Sequence, residues 1–263
     1  MSSEGIYTWR DSLVGFQTLA TKEVQRVLRI WVQTIVPPAI QMTLYFIIFG
    51  SLIGKRVGQM GGYSYMEYLA PGLIMMSVVM NSYTNSVSSF FGAKFGRHIE
   101  ELLVSPLPNV LILLGYVAGS VCRGLLVGVL VAAIATVFTH LPLTHPFIMV
   151  TVVLLTSTVF ALGGIINAIF AQKFDDVTII PTFVLTPLIY LGGVFYSIKL
   201  LSPTWQMASK VDPILYMVNA FRYGFLGVSD ISIGIAYGII CTFIVVLFGV
   251  ALYLLNKGVG LRS

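Results

Sequence analysis

The chain has 263 residues, of which 57% are hydrophobic and only 10% are charged, and its mean hydropathy is +0.93. A soluble domain carries about 25% charged residues, so this composition excludes an ordinary soluble protein and indicates a multi-pass protein of the lipid bilayer. The formal net charge is +5. Its basic residues are spread over the ends of apolar segments, which argues against a nucleic-acid partner. The two cysteines, Cys122 and Cys241, lie inside apolar runs and predict no disulfide framework.

The first segment, residues 1–31, has the spacing of an amphipathic helix. Its apolar residues recur at steps of three and four, and basic residues occupy other positions around the same helix. This pattern predicts a cytoplasmic helix that lies on the inner leaflet, with its basic groups near anionic headgroups. Two roles stay open, an anchor that orients the first span and an element that transmits force. The apolar positions are Trp9, Leu13, Phe16, Ala20, Val24, Val27 and Trp31, and the basic ones are Arg10, Lys22, Arg26 and Arg29.

Six apolar segments between residues 32 and 256 are long enough to cross a hydrocarbon core, which needs about 20 apolar residues. The sequence therefore predicts an all-α membrane protein with six transmembrane helices, followed by a short cytoplasmic tail over residues 257–263. An even number of crossings places both termini on the same side. The predicted spans are Val32–Gly54, Tyr68–Phe91, Val110–Phe138, Phe147–Ala171, Val177–Tyr196 and Ile231–Asn256.

The distribution of Lys and Arg chooses that side, because cytoplasmic loops carry an excess of basic residues. One side holds the N-terminal segment, the second and fourth loops and the C-terminal tail, and it has the larger basic set. Both termini are therefore predicted to be cytoplasmic. The larger set is Arg10, Lys22, Arg26, Arg29, Lys94, Arg97, Lys173, Lys257 and Arg262, and the smaller one is Lys55, Arg56, Lys199, Lys210 and Arg222.

The loop after the second span predicts a short helix over about residues 96–104. Gly96 starts the helix in this interpretation, and Pro106 and Pro108 stop it before the third span. Mixed charged and apolar faces suit docking into a groove on a partner, and a solvated connecting turn is the alternative that periodicity leaves open. The charged residues are Arg97, Glu100 and Glu101, and the apolar ones are Ile99, Leu102 and Leu103.

Arg123 lies in the middle of the third span and is the only Lys, Arg, Asp or Glu within any predicted span. A charge at the centre of a bilayer costs at least about 2.5 kcal/mol and marks a pathway, a partner or a structural pairing. Two interpretations stay open: Arg123 attracts an anionic or phosphate-bearing substrate, or it binds polar groups of the second span and holds the two helices together. Those polar groups are Asn81, Asn85 and Ser88, with Ser82, Ser86 and Ser89 beside them.

The loop between the fifth and sixth spans, about residues 197–230, is strongly apolar over Pro213–Leu226. That stretch is too short to cross the membrane and return as two full spans. It predicts a re-entrant helical hairpin that dips into the outer leaflet, where protein covers its backbone. Pro203, Trp205 and Pro213 punctuate this region.

The residue content of the predicted spans argues against several classes of membrane protein. The spans hold no Asp, Glu or His, whereas an intramembrane hydrolase needs a nucleophile with a base and a proton-coupled carrier needs an intramembrane acid. No nucleotide-binding loop is present. His98, His140 and His145 lack partners at metal-ligand spacing, so no metal site is predicted. A membrane channel or gate driven by another protein fits these features, and a lone channel or scaffold stays possible.

Together, the features resemble the permease subunits of type-2 ABC exporters over essentially the whole chain. The chain departs from many members at Ser197, where they have proline after the aromatic residue, and this leaves the bend at the outer end of the fifth span open. The most specific resemblances are Glu100–Pro106 and Pro187–Tyr196, followed by Pro203, Trp205, Pro213, Tyr216 and Arg222. A bacterial inner-membrane subgroup of these permeases is similar at Phe90–Phe95, Pro181–Pro187 and Gly260–Ser263.

The resemblance implies a subunit that is not itself an enzyme and binds no cofactor. Two copies of the permease would work with two copies of a separate ATPase, which binds ATP and Mg²⁺. Arg97–Leu103 would be the coupling helix seated in the ATPase, with Glu100 and Glu101 as its polar contacts and the amphipathic helix as a second contact. An outward path would open between the first and fifth spans. Pro181, Pro187, Gly192 and Gly193 either loosen the moving fifth span or are passive.

The family's substrates and location complete the expectation. The substrate would be hydrophobic or amphipathic, such as a drug, a lipid or a lipid-linked glycan, and it would leave the cytoplasm through a bacterial inner membrane. The alternative function is a membrane channel or scaffold that no ATPase drives.

Overall fold

The computed structural model describes residues 9–260, so the first eight residues and the C-terminal Leu261–Ser263 lie outside the described residues. The described chain is mostly helical, as its composition predicts. In chain order the elements are α1 (Trp9–Arg29), α2 (Trp31–Ile47), a π-helix (Ile48–Ile53), α3 (Gly54–Val57), the paired strands β1 (Gln59–Met60) and β2 (Tyr63–Ser64), α4 (Tyr65–Phe95), α5 (His98–Val104), α6 (Asn109–Phe138), α7 (Pro146–Phe170), α8 (Asp176–Ile180), a second π-helix (Pro181–Leu185), α9 (Thr186–Leu191), a 3₁₀-helix (Ile198–Leu200), α10 (Pro203–Val211), α11 (Pro213–Leu226) and α12 (Ile233–Lys257).

Four helical segments of the described chain are long and apolar enough to cross a membrane. They coincide with the first, third, fourth and sixth predicted spans to within a few residues. The second predicted span lies inside α4, which has 31 residues, and the fifth falls on the shorter apolar helix Asp176–Leu191. The crossing of these two segments stays a prediction. The four candidates are Trp31–Gly50, Asn109–Phe138, Pro146–Phe170 and Ile233–Lys257.

α4 is the central helix and packs against both α6 and α7. It begins with a capping box, in which the Ser64 hydroxyl accepts from the Glu67 N–H and the Glu67 carboxylate accepts from the Ser64 N–H (2.8 Å). This arrangement satisfies two of the N–H groups that a helix start leaves unpaired. Most of the side chains that follow are buried, and Leu69, Leu73 and Val78 have no exposed surface.

Small residues allow α6 and α7 to approach α4 closely. A Cβ added at Gly124 of α6 would collide with the Ser82 hydroxyl, and one at Gly164 of α7 would collide with the Ser86 hydroxyl. Such contacts between small residues are the usual basis of helix packing in membranes. The serine row of the second predicted span is therefore occupied by helix–helix contacts.

The fifth predicted span is loosened near its middle. A π-helix begins at Pro181 between α8 and α9, because a proline has no N–H to donate to the preceding turn. The Thr186 hydroxyl donates to the Pro181 carbonyl (2.9 Å). α9 ends at Leu191, ahead of the predicted end of the span, since the chain turns at Gly192 and Gly193, and Gly193 has a φ of 74°.

Candidate functional site

Polar side chains form two clusters that contact α4 toward its opposite ends. The Arg222 cluster joins the first turns of α4 to the segments after α9 and α11. The Glu23–Arg26 cluster joins the second half of α4 to α1 and α6. The Arg222 cluster consists of Tyr68, Gly193, Ser197, Arg222 and Asp230, and the Glu23–Arg26 cluster consists of Glu23, Arg26, Asn85, Ser89 and Ser120.

The region predicted as a re-entrant hairpin forms two helices, α10 and α11, which meet at Asp212. Asp212 caps α11 by accepting a hydrogen bond from the N–H of Ile214 (2.9 Å). Ile214 packs against Gly192 at the end of α9. At the far end of α11, the carbonyl of Gly224 accepts from the N–H of His145 beside the start of α7 (2.8 Å). The dip of this hairpin into the membrane stays a prediction.

Arg222 on α11 is the centre of the first cluster and is only 1% exposed. Its Nε donates to the carbonyl of Tyr68 (3.2 Å) and its Nη2 donates to the carbonyl of Gly193 (2.8 Å). The guanidinium also lies over the Tyr68 ring, 3.9 Å from the ring centroid, where the π-electrons attract a cation. One side chain therefore holds α11, the start of α4 and the turn after α9 together.

Asp230, in the loop between α11 and α12, extends this cluster. Its carboxylate accepts from the Ser197 hydroxyl (2.7 Å), from the Tyr68 hydroxyl (3.4 Å) and from the Lys199 ammonium (3.2 Å). Its backbone N–H donates to the Asn219 side chain on α11 (3.1 Å). The loop that leads into α12 is thereby fixed to the same turn that Arg222 holds.

Ser197 explains how this chain builds the bend at which the resemblance implied a proline. Its hydroxyl accepts from the Lys199 N–H (3.3 Å), which starts the 3₁₀-helix, and donates to Asp230. The bend is thus held by side-chain hydrogen bonds rather than by a proline ring.

The other residues singled out in this region lie outside the cluster. Pro203 and Pro213 occupy the first positions of α10 and α11, where a missing N–H costs least. Trp205 is 58% exposed, and the Tyr216 hydroxyl donates to the Lys210 carbonyl (2.7 Å). Sequence reasoning found Arg222 but not its acceptors, because two of them are backbone carbonyls.

The second cluster begins with the path of α1 along α6. Gly15 of α1 contacts Leu107, and further along the chain Leu19 contacts Gly115. A Cβ added at Gly119 would lie only 2.6 Å from the Cβ of Glu23. Because these contacts advance along both helices together, α1 runs beside α6 in the same direction. The segment predicted to lie on the leaflet is therefore also packed against the bundle.

Glu23 and Arg26 are charged side chains of α1 that form hydrogen bonds to α4. Glu23 is 3% exposed, and its carboxylate accepts from the Ser89 hydroxyl (2.6 Å) and from Arg26 Nε (3.2 Å). Arg26 Nη2 donates to the Asn85 side-chain oxygen (3.0 Å), and the Asn85 amide donates to the Ser120 hydroxyl on α6 (3.1 Å). Arg26 is thus bonded to α4 and still 31% exposed, and its contact with a headgroup stays a prediction.

Arg123 does not form the pairings that the sequence suggested. Asn85 is taken by Arg26, the Asn81 amide donates to the carbonyl of Ser77 in its own helix (3.0 Å), and the Ser88 hydroxyl donates to the carbonyl of Thr84 (2.6 Å). Arg123 Nε is buried and has no hydrogen-bond partner within residues 9–260. Sequence reasoning missed the competitor, because Arg26 lies outside the predicted spans.

The predicted docking helix exists as α5, but it begins at His98 and not at Gly96. Arg97 precedes it with a φ of 59°, a left-handed conformation that is unfavourable for a residue with a Cβ. Ile99 is 1% exposed and anchors the helix. The partly buried Leu102 and Leu103 lie beside this anchor, whereas Arg97, Glu100, Glu101 and Val104 are exposed.

Lys94 fixes the end of α4 that carries α5. Its ammonium donates to the carbonyls of Ile169 (2.6 Å) and Ala171 (2.8 Å) at the end of α7. These carbonyls have no partner within their own helix, so a cation there is favourable. α5 therefore follows directly after the point where the ends of α4 and α7 are bonded to each other.

Comparison with known proteins gives a consistent match. Residues 14–226 match the family described as ABC-2 type transporter. The inner membrane transport permease YadH of Escherichia coli (strain K12) is 54% identical over 251 residues, which cover 95% of this chain and 98% of that protein. Nodulation protein J of Rhizobium leguminosarum bv. trifolii is 25% identical over 215 residues, 81% of this chain and 82% of that protein.

A substitution of Arg222 tests the first cluster. In Arg222→Met the carbonyls of Tyr68 and Gly193 stay buried without a donor, which costs about 1–3 kcal/mol for each group. We expect the midpoint of thermal unfolding in detergent to fall by roughly 5–15 °C. Lys199→Gln is the control, because it removes an Asp230 partner whose side chain is 72% exposed, and it should shift the midpoint by less than about 2 °C. Equal small shifts would contradict the role of Arg222.

Asp212 predicts a pH dependence of stability. It lies outside the predicted spans and is 2% exposed, and burial raises the pKa of its carboxyl to about 7, although the hydrogen bond from Ile214 lowers it. The unfolded carboxyl has a pKa of about 3.9, so the folded state binds the proton more tightly and stability is lost as the pH rises from about 4 to about 7. Asn at this position still caps the helix. We expect Asp212→Asn to gain thermal stability relative to the wild type between pH 5 and pH 8. If the difference in thermal midpoint between Asp212→Asn and the wild type does not change with pH, the raised pKa of Asp212 is refuted.

Proposed function

Since the chain belongs to the ABC-2 type transporter family and is thus the transmembrane subunit of an ABC transporter, we propose that it is the permease of an ATP-driven exporter. Two copies of the chain work with two copies of a separate ATPase, which holds ATP and Mg²⁺. The complex resides in a bacterial inner membrane with both termini of the permease in the cytoplasm. Its substrate is hydrophobic or amphipathic, such as a drug, a lipid or a lipid-linked glycan.

The observation that carries this proposal is the exposed face of α5. A short helix with a buried anchor at Ile99 presents Glu100, Glu101 and Val104 outward, and Val104 is 86% exposed. An apolar side chain at that exposure, next to two carboxylates, suits a groove on a soluble partner. α5 is also attached to α4, which leads to the Arg222 cluster.

A displacement of α5 has a direct route through the bundle. α4 is about 46 Å long at 1.5 Å per residue, and Lys94 ties its α5 end to α7. At its other end the Tyr68 carbonyl is bound to Arg222, which also holds the Gly193 turn after α9. Movement driven by the ATPase would therefore reach the end of the fifth span.

The first and fifth predicted spans have the features expected of the moving walls. Each contains a π-helix, one at Ile48–Ile53 and one at Pro181–Leu185, and such segments are frequent at functional sites. Their large apolar side chains are exposed on the single chain, which supports coverage by a second copy or by lipid. These side chains are Val32, Val36, Ile40, Leu44 and Ile47 on α2, and Ile179, Phe183, Val184 and Tyr190 on the fifth segment.

A groove between the fifth segment and α10 supports the proposed class of substrate. Its lining is aromatic and aliphatic and contains no charged side chain. Apolar lining of this kind favours a cargo with a hydrophobic part over a bare polymer. The lining residues are Pro187, Tyr190, Leu191, Tyr196, Leu201 and Trp205.

Copurification tests the ATPase partner. We expect a soluble ATPase to copurify at one copy per permease in mild detergent, and the double variant Glu100→Lys and Glu101→Lys to lose it, because both carboxylates face the partner. Arg56→Glu is a matched charge reversal at an exposed position near the opposite end of α4, and it should retain the ATPase. The thermal midpoint of each variant confirms that it is folded.

Two results would overturn this proposal. A folded homo-oligomer without any ATPase would remove the exporter and favour a channel or scaffold. Retention of the ATPase by the double variant would remove α5 as the coupling helix.

A further inference from the structure

The position of the Glu23–Arg26 cluster in the membrane follows from contacts between helices. The rings of Phe46 and Phe138 stack 5.5 Å apart, so Phe46 in the second half of the first predicted span lies at the level of the end of the third. From Phe138, Ser120 lies roughly 27 Å away along α6 at 1.5 Å per residue. The hydrocarbon core is about 30 Å thick. With Phe138, the predicted end of the third span, at the outer edge of the core, Ser120 and its partner Asn85 lie at the opposite edge, at the level of lipid phosphates. Arg123 is then nearer this edge than its place in the middle of the predicted span suggested.

The basic residues of α1 reach the same level. Arg26 is bonded to Asn85, and Lys22 and Arg29 lie four residues before it and three after it, so all three share one face of α1. Lys22 and Arg29 are exposed, and the Arg26 side chain is 31% exposed. The face is therefore open to a ligand from the membrane or the water beside it.

Arg123 supplies a second cation from α6. It lies about one helical turn beyond Ser120 toward the centre of the core. Glu23 of α1 lies against Gly119 of α6, and Arg26 follows Glu23 by about one turn as Arg123 follows Gly119, so the two arginines lie on neighbouring turns of helices that run in the same direction. The nearby carboxylate, Glu23, is already bound by Arg26 and Ser89. Glu23 thus pairs with Arg26 and not with Arg123, and Arg123 Nε is buried with no partner in the described chain.

An anion between the two arginines would complete this arrangement. A guanidinium presents a planar fork of N–H donors that matches two oxygens of a phosphate. A bound anion would also relieve the repulsion between Arg26 and Arg123. The anion that the membrane itself holds at this level is the phosphate of a lipid, whose acyl or prenyl chain lies in the core beside the site.

We propose that Arg26 and Arg123, flanked by Lys22 and Arg29, bind the phosphate group of a membrane-embedded lipid between α1 and α6. The phosphate belongs either to a phospholipid of the leaflet or to a transported lipid phosphate, and the chemistry of recognition is the same. The site goes beyond the proposed exporter function and does not depend on an ATPase partner.

Lipid binding to the purified full-length protein tests the site. Delipidated protein is titrated with dioleoyl phosphatidylglycerol, and binding is followed by native mass spectrometry and by thermal unfolding. We expect Arg123→Gln to weaken binding at least about tenfold, equivalent to about 1.4 kcal/mol, and to lose most of the thermal stabilisation that the lipid gives. Dioleoylglycerol, which has the same chains without phosphate, should bind neither protein.

A control separates this site from general charge attraction. Lys257→Gln removes one basic residue at the end of α12, outside the site, and should change binding less than about twofold. Arg123→Lys keeps the charge but loses the fork, so we expect intermediate binding. An equal loss in Lys257→Gln and Arg123→Gln, or binding of dioleoylglycerol as strong as that of phosphatidylglycerol, would overturn the proposal.

Stability without lipid distinguishes a ligand site from a structural bond. If Arg123 only joined helices, Arg123→Gln would unfold at a lower temperature in lipid-free detergent. A ligand site predicts an unchanged or higher midpoint, because an unpaired buried charge has been removed. A lower midpoint in both Arg123→Gln and Arg123→Lys would refute the proposal.

Competition identifies the source of the phosphate. Phosphatidylglycerol is displaced with decaprenyl phosphate, which carries a prenyl chain and a phosphomonoester. The concentration of decaprenyl phosphate that displaces the bound lipid is compared with that of unlabelled phosphatidylglycerol. If decaprenyl phosphate displaces it at the lower concentration, the site is assigned to a transported lipid phosphate. Weaker displacement assigns it to a phospholipid of the leaflet. Either result supports the phosphate site, and no displacement by either compound contradicts it.

Discussion

The structure depends on one constraint, the need to supply partners for polar groups where surrounding lipid supplies none. A helix satisfies its own backbone, but side-chain charges and the carbonyls at broken helices require other partners. Arg222 meets this need for the turn after α9 by donating to the Gly193 carbonyl, and Lys94 does so at the end of α7. Both cations are held at sites where a helix ends. The interruptions of the fifth segment at Pro181 and Gly193 are thus compatible with a stable bundle.

This constraint also gives α4 its role. Its buried side chains and the serines beneath Gly124 and Gly164 hold it firmly against α6 and α7. Its two ends are joined to different elements, α5 at one end and the Arg222 cluster at the other. A tightly packed helix moves as a body more readily than it bends. In the proposed exporter, a movement that enters at α5 would therefore follow one rigid element, and the two π-helices lie on the neighbouring segments.

Hydropathy predicted most of the helices because burial in lipid requires long apolar runs, and the bounds of α6 and α7 agree with prediction to within a residue or two. The start of α5 was missed, since the left-handed turn at Arg97 has no signal of the kind that glycine gives. Periodicity showed that α1 is amphipathic but not that it packs along α6. The glycines at 115 and 119 allow this packing, but only the structure shows that they contact Leu19 and Glu23. The partners of Arg222 were unpredictable for a simpler reason: every residue has a carbonyl.

The two arginines in apolar surroundings show how satisfied and unsatisfied charges differ in meaning. Arg222 has two carbonyl acceptors and an aromatic face, so its desolvation is largely offset within the protein although its Nη1 has no partner within the described residues, and its function is structural. Arg123 lies beside a like charge, and its expected acceptor Asn85 is bonded to Arg26. Sequence alone singled out Arg123 as the one charge within a predicted span and placed Arg222 in the apolar loop before the sixth span. The distinction comes from the acceptors. Arg222 forms the bonds that hold the fold, whereas Arg123 has a free donor to which a lipid phosphate can bind.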